Sequence, residues 1–478
     1  MVEGYIEKSK RKKILLLSDD LRMHSGIATM SRELVVGSAH KYNWFQVGAA
    51  LKHPENGKLV DISDDVNKNA GITDAKVHIM PFEGYGNSTL IRSLLEKEKP
   101  DAIFIFTDPR YWIWLFEIER EIRNKIPIVW LNIWDDYPAP VYNRDYYNSV
   151  DCLMGISKQT VNINKLVLGD EAIDKVINYV PHGINNKHFF PIVKENPLYP
   201  ELVKFKQKTI NNPDVDFLVY FNSRNIHRKR PGDIILSFKF FCDMIGEEKA
   251  KRCGLIMHTE VSNNHGTDLK AVKEAVYPEG NVYFSTAKIS SAQINFMYNM
   301  CDVTTLISSN EGWGLSLTES MMSGTMIIGA ATGGMQDQLR FEDENGDWID
   351  FDADFPSNHR GTYKKCGEWA VPVFPSNISL AGSPMTPYIY DDRSNPEDIA
   401  AAIKKVYDIP KEERDRRGIA GSLWAQSDEA QMTADHMCKN MINSIDETLA
   451  TFKPRPRHEV FHVDKAPSLK VTHKLTGY

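Results

Sequence analysis

The chain has 478 residues, a length that exceeds one ordinary hydrophobic core and predicts two domains of about 200 residues each. Hydrophobic residues make up 42% and charged residues 25%, as in globular proteins, and no stretch approaches the roughly 18 apolar residues of a membrane-spanning helix. The net charge of −7 excludes a uniformly basic protein, although residues 1–13 (five Lys/Arg, two Glu) and 453–478 (six Lys/Arg, two Asp/Glu) are locally basic.

The six cysteines are scattered, and no two of them form a C-x-x-C pair. A disulfide framework or a structural zinc site is therefore not expected, and a reducing compartment fits best. The apolar run that follows the basic start of the chain is only about five residues long, shorter than the core of a secretory signal peptide. We expect a cytoplasmic protein.

The first predicted strand, residues 13–18, is followed by a loop ending in Ser25-Gly26 and a helix that starts near Ile27. Such a βα unit with a glycine at the turn commonly opens a doubly wound domain. Further strands are predicted at residues 47–51, 102–106, 128–132 and 152–156, and helices at 88–97 and 112–123. Because functional groups lie beyond the carboxyl ends of parallel strands, residues 107–110 and 134–137 should share one rim with Ser25-Gly26.

A turn at residues 180–185 and a polar, proline-marked connection to about residue 214 separate this domain from a second series. Strands are predicted there at residues 217–222, 254–258, 282–284, 303–307 and 326–330, with helices at 231–243, 268–275 and 291–299. The alternation predicts an α/β protein made of two doubly wound, Rossmann-like parallel-sheet domains that face a central cleft.

Residues 340–395, rich in Asp, Pro, Gly and aromatic residues, interrupt this rhythm and are either a functional loop or a poorly ordered insert. Helical patterns return at residues 396–407 and 428–449. The predicted domains are therefore residues 1–190 and residues 191–430, the latter with the insert, followed by a C-terminal helix and basic tail over residues 431–478.

The stretch 308–338 predicts the main binding site. An apolar run precedes a glycine-punctuated loop, which leads into a helical pattern over residues 315–323. The unpaired N–H groups of a helix's first turn attract a phosphate, and Gly312 and Gly314 let the backbone approach it closely. Glu311 and Glu319 can accept hydrogen bonds from ribose and hexose hydroxyls. The stretch therefore predicts a pocket for a nucleotide sugar.

A second basic constellation follows the first strand of the second domain. Arg224 and Lys229 are five residues apart, before a helix that starts near Pro231. An arginine fork and a lysine charge at a strand end suit a diphosphate. The alternative is a solvated basic turn.

The Ser-Arg-x4-Lys motif at residues 223–229 and the E-x7-E pair formed by Glu311 and Glu319 resemble the retaining GT-B glycosyltransferases of the GT4 type. The resemblance extends over residues 13–338. Its further matches are Ser25-Gly26, Gly155-Ile156-Ser157-Lys158, residues 181–191 and Gly333-Gly334.

The resemblance implies a GT-B fold and metal-independent sugar transfer from a nucleotide-diphosphate sugar, with a UDP-sugar as the leading donor and no cofactor. It implies that Arg224 and Lys229 hold the diphosphate, that Glu311 contacts the transferred sugar, and that Glu319 binds the ribose. The other implied donor-binding residues are Ser25, Gly26, Gly312, Trp313, Gly314, Leu315 and Ser316.

The first-domain rim departs from the family pattern, because Trp134 stands where many relatives carry a histidine. Asp135 or Asp136 can orient or deprotonate an acceptor hydroxyl, and a helix cap is an equally good interpretation. Asp19-Asp20 and Asp135-Asp136 are nominal metal ligands, but caps or rim residues fit them better, so no metal site is predicted. His182 is expected to be structural. The acceptor-side candidates are Asp108, Arg110, Trp112, Trp134 and Tyr137.

The basic runs and the rim aromatics favour nucleic acid as the acceptor, since such groups bind phosphates and stack on an extruded base. In general style the chain resembles bacteriophage enzymes that glycosylate hydroxymethylated pyrimidines, such as hydroxymethylcytosine, in DNA. That resemblance implies the cytoplasm of a bacterial cell, a phage-infected one included. A lipid-linked or polysaccharide acceptor reached by peripheral membrane contact stays open, as do a nucleotide-sugar epimerase and a non-catalytic DNA-binding GT-B protein.

Overall fold

The computed structural model describes residues 4–49, 53–352 and 361–456. The first lobe is built on an eight-stranded sheet with the order β3-β4-β2-β1-β5-β6-β7-β8, parallel except for β3. Its strands are β1 (Lys12–Asp19), β2 (Tyr42–Ala49), β3 (Val60–Asp61), β4 (Val77–Phe82), β5 (Ala102–Phe106), β6 (Ile128–Asn132), β7 (Cys152–Gly155) and β8 (Val176–Tyr179). Its helices are α1 (Gly26–Ser38), α2 (Ser63–Ala70), α3 (Ser88–Glu98), α4 (Ile113–Phe116), α5 (Glu119–Arg123), α6 (Arg144–Asn148) and α7 (Lys158–Leu168).

The second lobe is built on a six-stranded parallel sheet with the order β11-β10-β9-β12-β13-β14. Its strands are β9 (Phe217–Asn222), β10 (Cys253–His258), β11 (Val282–Ser285), β12 (Val303–Leu306), β13 (Met326–Ala330) and β14 (Ala370–Val373). Its helices are α8 (Tyr199–Ile210), α9 (Pro231–Ile245), α10 (Glu247–Ala250), α11 (Leu269–Val276), α12 (Ser291–Met300), α13 (Leu315–Met322), α14 (Met335–Leu339), α15 (Pro396–Tyr407) and α16 (Lys411–Ala425).

The central strands are buried on both faces, which explains why they are continuous apolar runs. Every residue of β5, β6 and β13 is buried. In the first sheet β1 lies between β2 and β5, so that Ile14 is paired with Trp44 on one side and Ala102 on the other. The prediction of two doubly wound parallel-sheet domains is confirmed.

The region of residues 340–395 has more regular structure than its sequence indicates. Ala370–Val373 completes the second sheet as β14, and β15 (Asn377–Ser383) and β16 (Thr386–Arg393) form an antiparallel hairpin. Neither strand shows an alternation of apolar and polar residues, because β14 contains a proline and β15 is largely polar. The sequence therefore does not predict them. Residues 353–360 lie outside the described residues. We call residues 377–393 the bridging hairpin.

The last described helix, α17 (Ala434–Thr451), packs on the first lobe, although the chain has by then passed through the second. The Tyr42 hydroxyl donates a hydrogen bond to Asp446 over 2.6 Å. A Cβ at Gly37 would lie 2.3 Å from the Cys438 sulfur, so α1 and α17 are in direct contact there. The first lobe therefore consists of two separate pieces of the chain. Residues 457–478, most of the predicted basic tail, lie outside the described residues.

Three other predicted elements differ from the structure. The helix predicted at residues 112–123 is a 3₁₀ turn (Pro109–Trp112) followed by α4 and α5, because the backbone leaves the helical conformation at Trp112 and again at Ile118. The polar connection to residue 214 contains α8, whose first turn holds a proline. The strand predicted at residues 47–51 starts earlier, at Tyr42, and residues 50–52 are not described. No helix within the described ranges is long and apolar enough to span a bilayer.

Candidate active site

A cleft of about 1100 Å³ lies between the lobes, at the carboxyl ends of both sheets. Its lining includes the residues after β1, β5 and β6 in the first lobe and after β9, β10, β11 and β12 in the second. Pockets for one small ligand commonly measure about 300–1,000 Å³, so this cleft has room for a ligand and a second reactant.

The floor of the cleft is the loop between β12 and α13. Gly314, in the left-handed region at φ 91°, caps α13 without a side chain and so leaves the first backbone N–H groups of the helix uncovered by a capping side chain. A Cβ at Gly312 would lie 3.0 Å from the carbonyl oxygen of Ile133, so the loop reaches the first-lobe rim. Gly334 N donates to the Glu311 carbonyl over 2.8 Å and so ties the loop to the start of α14. The backbone geometry thus suits an anion at the helix end.

Cations converge on this loop from the turn after β9. Lys229 Nζ is in direct contact with the Glu311 carboxylate, and Arg228 Nη1 lies 3.3 Å from the same oxygen. Arg224 is exposed and lines the cleft beside them. Burial, together with the neighbouring Arg228 and Arg224 charges, holds the pKa of Lys229 well below its ordinary value. The three cations repel one another, and a negatively charged ligand bound between them offsets this repulsion.

Glu311 is a buried carboxylate at the centre of this cluster. Besides the two cations, its Oε2 accepts a hydrogen bond from the Ser308 hydroxyl over 3.1 Å. These contacts fix the side chain at the cleft wall, where it can accept a hydrogen bond from a ligand hydroxyl.

Glu319 lines the other end of the loop, one turn into α13. Its Oε2 accepts a hydrogen bond from Tyr298 over 2.6 Å, and Tyr298 in turn accepts one from Asn222 over 2.9 Å. Burial raises the pKa of Glu319 to about 7, against the lowering effect of the Tyr298 hydrogen bond. Within the described ranges one donor, Tyr298, binds this carboxylate, which leaves it capacity for ligand hydroxyls.

The raised pKa of Glu319 predicts a pH-dependent stability. Between about 4.5 and 7 the folded protein holds a proton there that the unfolded chain does not, so this contribution to stability is lost as pH rises through 7. Because glutamine does not ionise, Glu319→Gln should remove this pH-dependent loss of stability, which amounts to up to about 3 kcal/mol. Thermal unfolding at pH 5 and pH 8 checks this. The melting temperature of the variant minus that of wild type should be larger at pH 8 than at pH 5. Equal differences at both pH values would contradict it.

The first-lobe rim presents a second helix N-terminus. Ser25 caps α1 by accepting a hydrogen bond from Ala28 N over 3.0 Å, and its hydroxyl donates to Asp19 over 2.5 Å. A Cβ at Gly26 would lie 3.6 Å from Leu315 Cδ1, so the N-termini of α1 and α13 face each other across the cleft. Ser25, Gly26, Leu315 and Ser316, all predicted to bind the donor, therefore lie together with the rest of that set.

The two rim aspartates have different surroundings. Asp135 lines the cleft near Arg228 and Lys229, and burial raises its pKa despite these cations. Asp136 is not part of the cleft lining, is 1% exposed, and accepts hydrogen bonds from Asn310 and from the Tyr137 backbone. The structure therefore corrects the pair to one cleft residue, Asp135, and one buried residue that ties Asn310 to the rim.

Three of the five acceptor-side candidates line the cleft: Asp108, Arg110 and Trp134. The Arg110 guanidinium donates to Asp108 over 2.7 Å, so its charge is already paired. Trp112 and Tyr137 do not reach the cleft, which corrects their prediction. Trp112 is fully buried because the 3₁₀ turn after β5 directs its ring into the core, and the Tyr137 hydroxyl accepts a hydrogen bond from Asn162 inside the lobe.

His182 also lines the cleft, between the rings of Phe106 and Trp313, whose centroids lie 5.8 and 6.3 Å away. Burial lowers its pKa to about 3, so the imidazole is neutral at physiological pH. Its Nδ1 has no hydrogen-bond partner among the described residues. The expected structural turn thus places a neutral, hydrogen-bond-capable ring at the cleft wall.

Sequence reasoning missed several lining residues. Arg228 was expected only as part of a basic cluster over residues 227–230, and not as a contact of Glu311. The ends of β10 and β11, which follow the same carboxyl-end rule, also contribute to the lining. They supply His258, Thr259 and Glu260, which were not predicted, and the turn 285–288, which lies within the turn 284–289 that the GT-B resemblance associates with base recognition. The Thr259 hydroxyl is buried there without a partner among the described residues. The largest omission is the bridging hairpin, which supplies Gly382, Ser383, Thr386 and Ile389.

Across the described part of the chain, no three His, Cys, Asp or Glu side chains are grouped to hold a metal ion. Asp20, one of the nominal ligands, instead accepts hydrogen bonds from Arg22.

Comparison with known proteins agrees with this geometry. Residues 204–354 match the model of the family described as glycosyl transferases group 1. A search of curated protein sequences finds no match.

Several solved structures share the fold over nearly the whole chain. Alr3699/HepE of Anabaena, in complex with UDP and glucose, is 11% identical at a TM-score of 0.62, covering 91% of this chain and 100% of its own. Sucrose-phosphate synthase of Thermosynechococcus elongatus is 14% identical at a TM-score of 0.61, covering 92% and 100%. An E. coli trehalose-6-phosphate protein bound with UDP-2-fluoro glucose is 12% identical at 0.60, covering 93% and 100%. The matched segment is thus similar to glycosyl transferases group 1, and the chain shares the two-domain GT-B fold of these solved structures.

Proposed function

We propose that the protein is a retaining, metal-independent glycosyltransferase of the GT4 type that moves a sugar from a UDP-sugar to an acceptor hydroxyl. One observation carries the proposal: a helix N-terminus, three cations and two carboxylates converge on one side of a single interlobe cleft. The family match and the UDP-containing solved structures support the choice of donor.

The donor half of the reaction follows from these groups. When the bond between the sugar's anomeric carbon and the diphosphate breaks, negative charge develops on the departing phosphate. Arg224, Lys229 and the first amides of α13 stabilise that charge, and Arg228 adds to the field. Glu311 accepts a hydrogen bond from the transferred sugar, and Glu319 binds the ribose hydroxyls. Because cations of the chain itself neutralise the diphosphate, we propose that no metal ion is needed.

On the acceptor side, Asp135 is the group that we propose to orient the acceptor hydroxyl and take its proton. It lines the cleft, and its raised pKa makes it a stronger base than an exposed aspartate. The hydroxymethylated pyrimidine of DNA stays our predicted acceptor, and Trp134, which is 6% exposed, contributes an aromatic edge to the cleft wall there. Retention of configuration rests on the resemblance of the Arg-Lys and Glu-Glu motifs to the GT4 type.

A panel of nucleotide sugars, offered with hydroxymethylcytosine DNA and analysed by mass spectrometry of the products, tests the proposal. We expect release of UDP from a UDP-sugar, unchanged by EDTA, and sugar added to the DNA. Glu319→Ala should lower kcat/KM for the donor at least about tenfold, since a hydrogen bond to a charged group is lost. Glu274→Ala, an exposed position on α11, is the matched control.

Equal turnover of wild type and Glu319→Ala would contradict the donor-site assignment. The acceptor is tested separately: DNA binding should weaken steeply as salt is raised, and a flat response would remove DNA from consideration. The anomeric configuration of the product, read by NMR, decides whether the reaction is retaining.

A further inference from the structure

The bridging hairpin leaves the second lobe beside the cation cluster and crosses to the first-lobe rim, and four of its residues line the cleft. Its base is fixed to the second lobe: Asn310 donates to the Tyr390 carbonyl over 2.6 Å, and Arg230 pairs with Asp391 over 3.1 Å. Asp392 N donates to the Ser309 carbonyl over 3.2 Å. The hairpin is therefore anchored to the same loop that carries Glu311.

The other side of the hairpin is bonded to the first-lobe rim at three points. Tyr390 N donates to the Tyr137 carbonyl over 2.8 Å, and the Tyr142 hydroxyl donates to the Tyr388 carbonyl over 2.9 Å. Nearest the turn, Arg110 Nη1 donates to the Thr386 hydroxyl over 2.6 Å. On the hairpin side, the first two contacts use backbone groups of Tyr390 and Tyr388. The third uses the side chain of Thr386, which is 7% exposed and lines the cleft.

The enclosed end of the cleft has a chemistry of its own. Its walls are Trp134, Asp135 and the Asp108–Arg110 pair on the rim, and Ser383 and Thr386 on the hairpin. The Arg110 charge on these walls is already neutralised by Asp108, and Arg228 and Lys229, which lie near Asp135, are the cations that we assign to the donor diphosphate. An aromatic ring, hydroxyls and carboxylates suit an uncharged ring that carries hydroxyl groups.

We infer that the bridging hairpin closes the acceptor end of the cleft and admits the acceptor end-on, as a single hydroxyl-bearing ring, with Thr386 and Arg110 as positioning residues. This inference rests on the proposed function. A chain that lay through the cleft would have to displace the hairpin, so a DNA acceptor must present an extruded base and a saccharide its terminal ring. The closed end also keeps water from the donor sugar.

The test compares wild type with Thr386→Val, which removes the hydroxyl that Arg110 binds while keeping the shape of the side chain. The donor is whichever of UDP-glucose, UDP-galactose and UDP-N-acetylglucosamine the wild type turns over fastest. The acceptors are single-stranded and duplex hydroxymethylcytosine DNA and maltotriose. UDP affinity, measured by calorimetry, reports the donor site separately.

For Thr386→Val we expect donor hydrolysis by water to rise and the acceptor KM to rise, each about tenfold, with UDP affinity unchanged. Thr386→Ser should restore wild-type values, and Thr73→Val, at an exposed loop position, should not differ from wild type. For wild type, unpaired hydroxymethylcytosine should be modified faster than the paired base, and maltotriose only at its terminal ring.

Hydrolysis and acceptor KM at wild-type levels in Thr386→Val would overturn the inference while leaving the proposed function standing. Modification of the inner ring of maltotriose, or of paired and unpaired bases at equal rates, would also overturn it. If the wild type neither binds UDP nor turns over any donor, the proposed function fails, and this inference fails with it.

Discussion

Replacing Lys229 with methionine is expected to lower kcat for the UDP-sugar reaction about 10²–10³-fold, the usual effect of removing one preorganised group that stabilises charge in the transition state. The lysine is buried at the cleft floor and touches Glu311, so its amino group is held in position before a donor arrives, and the negative charge of the diphosphate favours its protonated form. Methionine keeps the length of the side chain and removes only the ammonium. Steady-state release of UDP measures the loss.

Lys239→Met is the matched control, because Lys239 lies on α9, outside the cleft lining, and pairs with Asp243 one helical turn away. Its turnover should equal that of wild type. Melting temperatures of both variants separate a loss of chemistry from a loss of folding. A folded Lys229→Met protein with kcat within threefold of wild type would contradict the role of the lysine.

Gly334→Ala is expected to destabilise the protein by about 3 kcal/mol, at the upper end of overpacking costs, and to abolish most donor turnover. Its conformation, φ −72° and ψ −11°, is open to any residue, so the cost is steric. A Cβ there would lie 2.0 Å from the carbonyl oxygen of Gly312, in the loop that carries Glu311. To relieve the clash, the loop must move away from the cations.

Gly232→Ala provides the control, since the nearest atom to its Cβ, on Thr267, would be 3.6 Å away. Gly232 lies in the first turn of α9, where alanine favours the helix, so this variant should be neutral or slightly stabilised. Differential scanning fluorimetry and the UDP-release assay measure both properties. If Gly334→Ala melts and turns over like Gly232→Ala, the loop does not depend on the glycine for its position.

The sequence predicted most of both sheets because their central strands are buried on both faces. Strands at residues 102–106, 128–132, 217–222 and 326–330 lie where the apolar runs place them. Elements with weaker patterns were not predicted. The short strand Ala370–Val373 contains a proline, and the hairpin strands are largely polar. Burial against a neighbouring element, which no local pattern records, decides their structure.

The candidate site shows the same division. Arg224, Lys229, Glu311 and Glu319 were predicted together because each follows a strand or opens a helix, and the structure brings all four to one cleft. Which rim residue faces the cleft depends instead on the turns around it. Asp135 lines the cleft, Asp136 is buried beside it, and Trp112 enters the core. Neighbours in sequence thus have different surroundings, which spacing alone does not reveal.

Helix α17 has a consequence for how the protein is made. Domains generally fold as units during synthesis, starting from the N-terminus. Here the first lobe leaves the ribosome without the helix that covers α1 and β8, and that helix is translated only after the whole second lobe. The nascent chain must therefore carry an uncovered apolar face until α17 emerges, and a fragment ending at residue 190 would never bury it. The order of translation, and not stability alone, makes the docking of α17 the step that completes the first lobe.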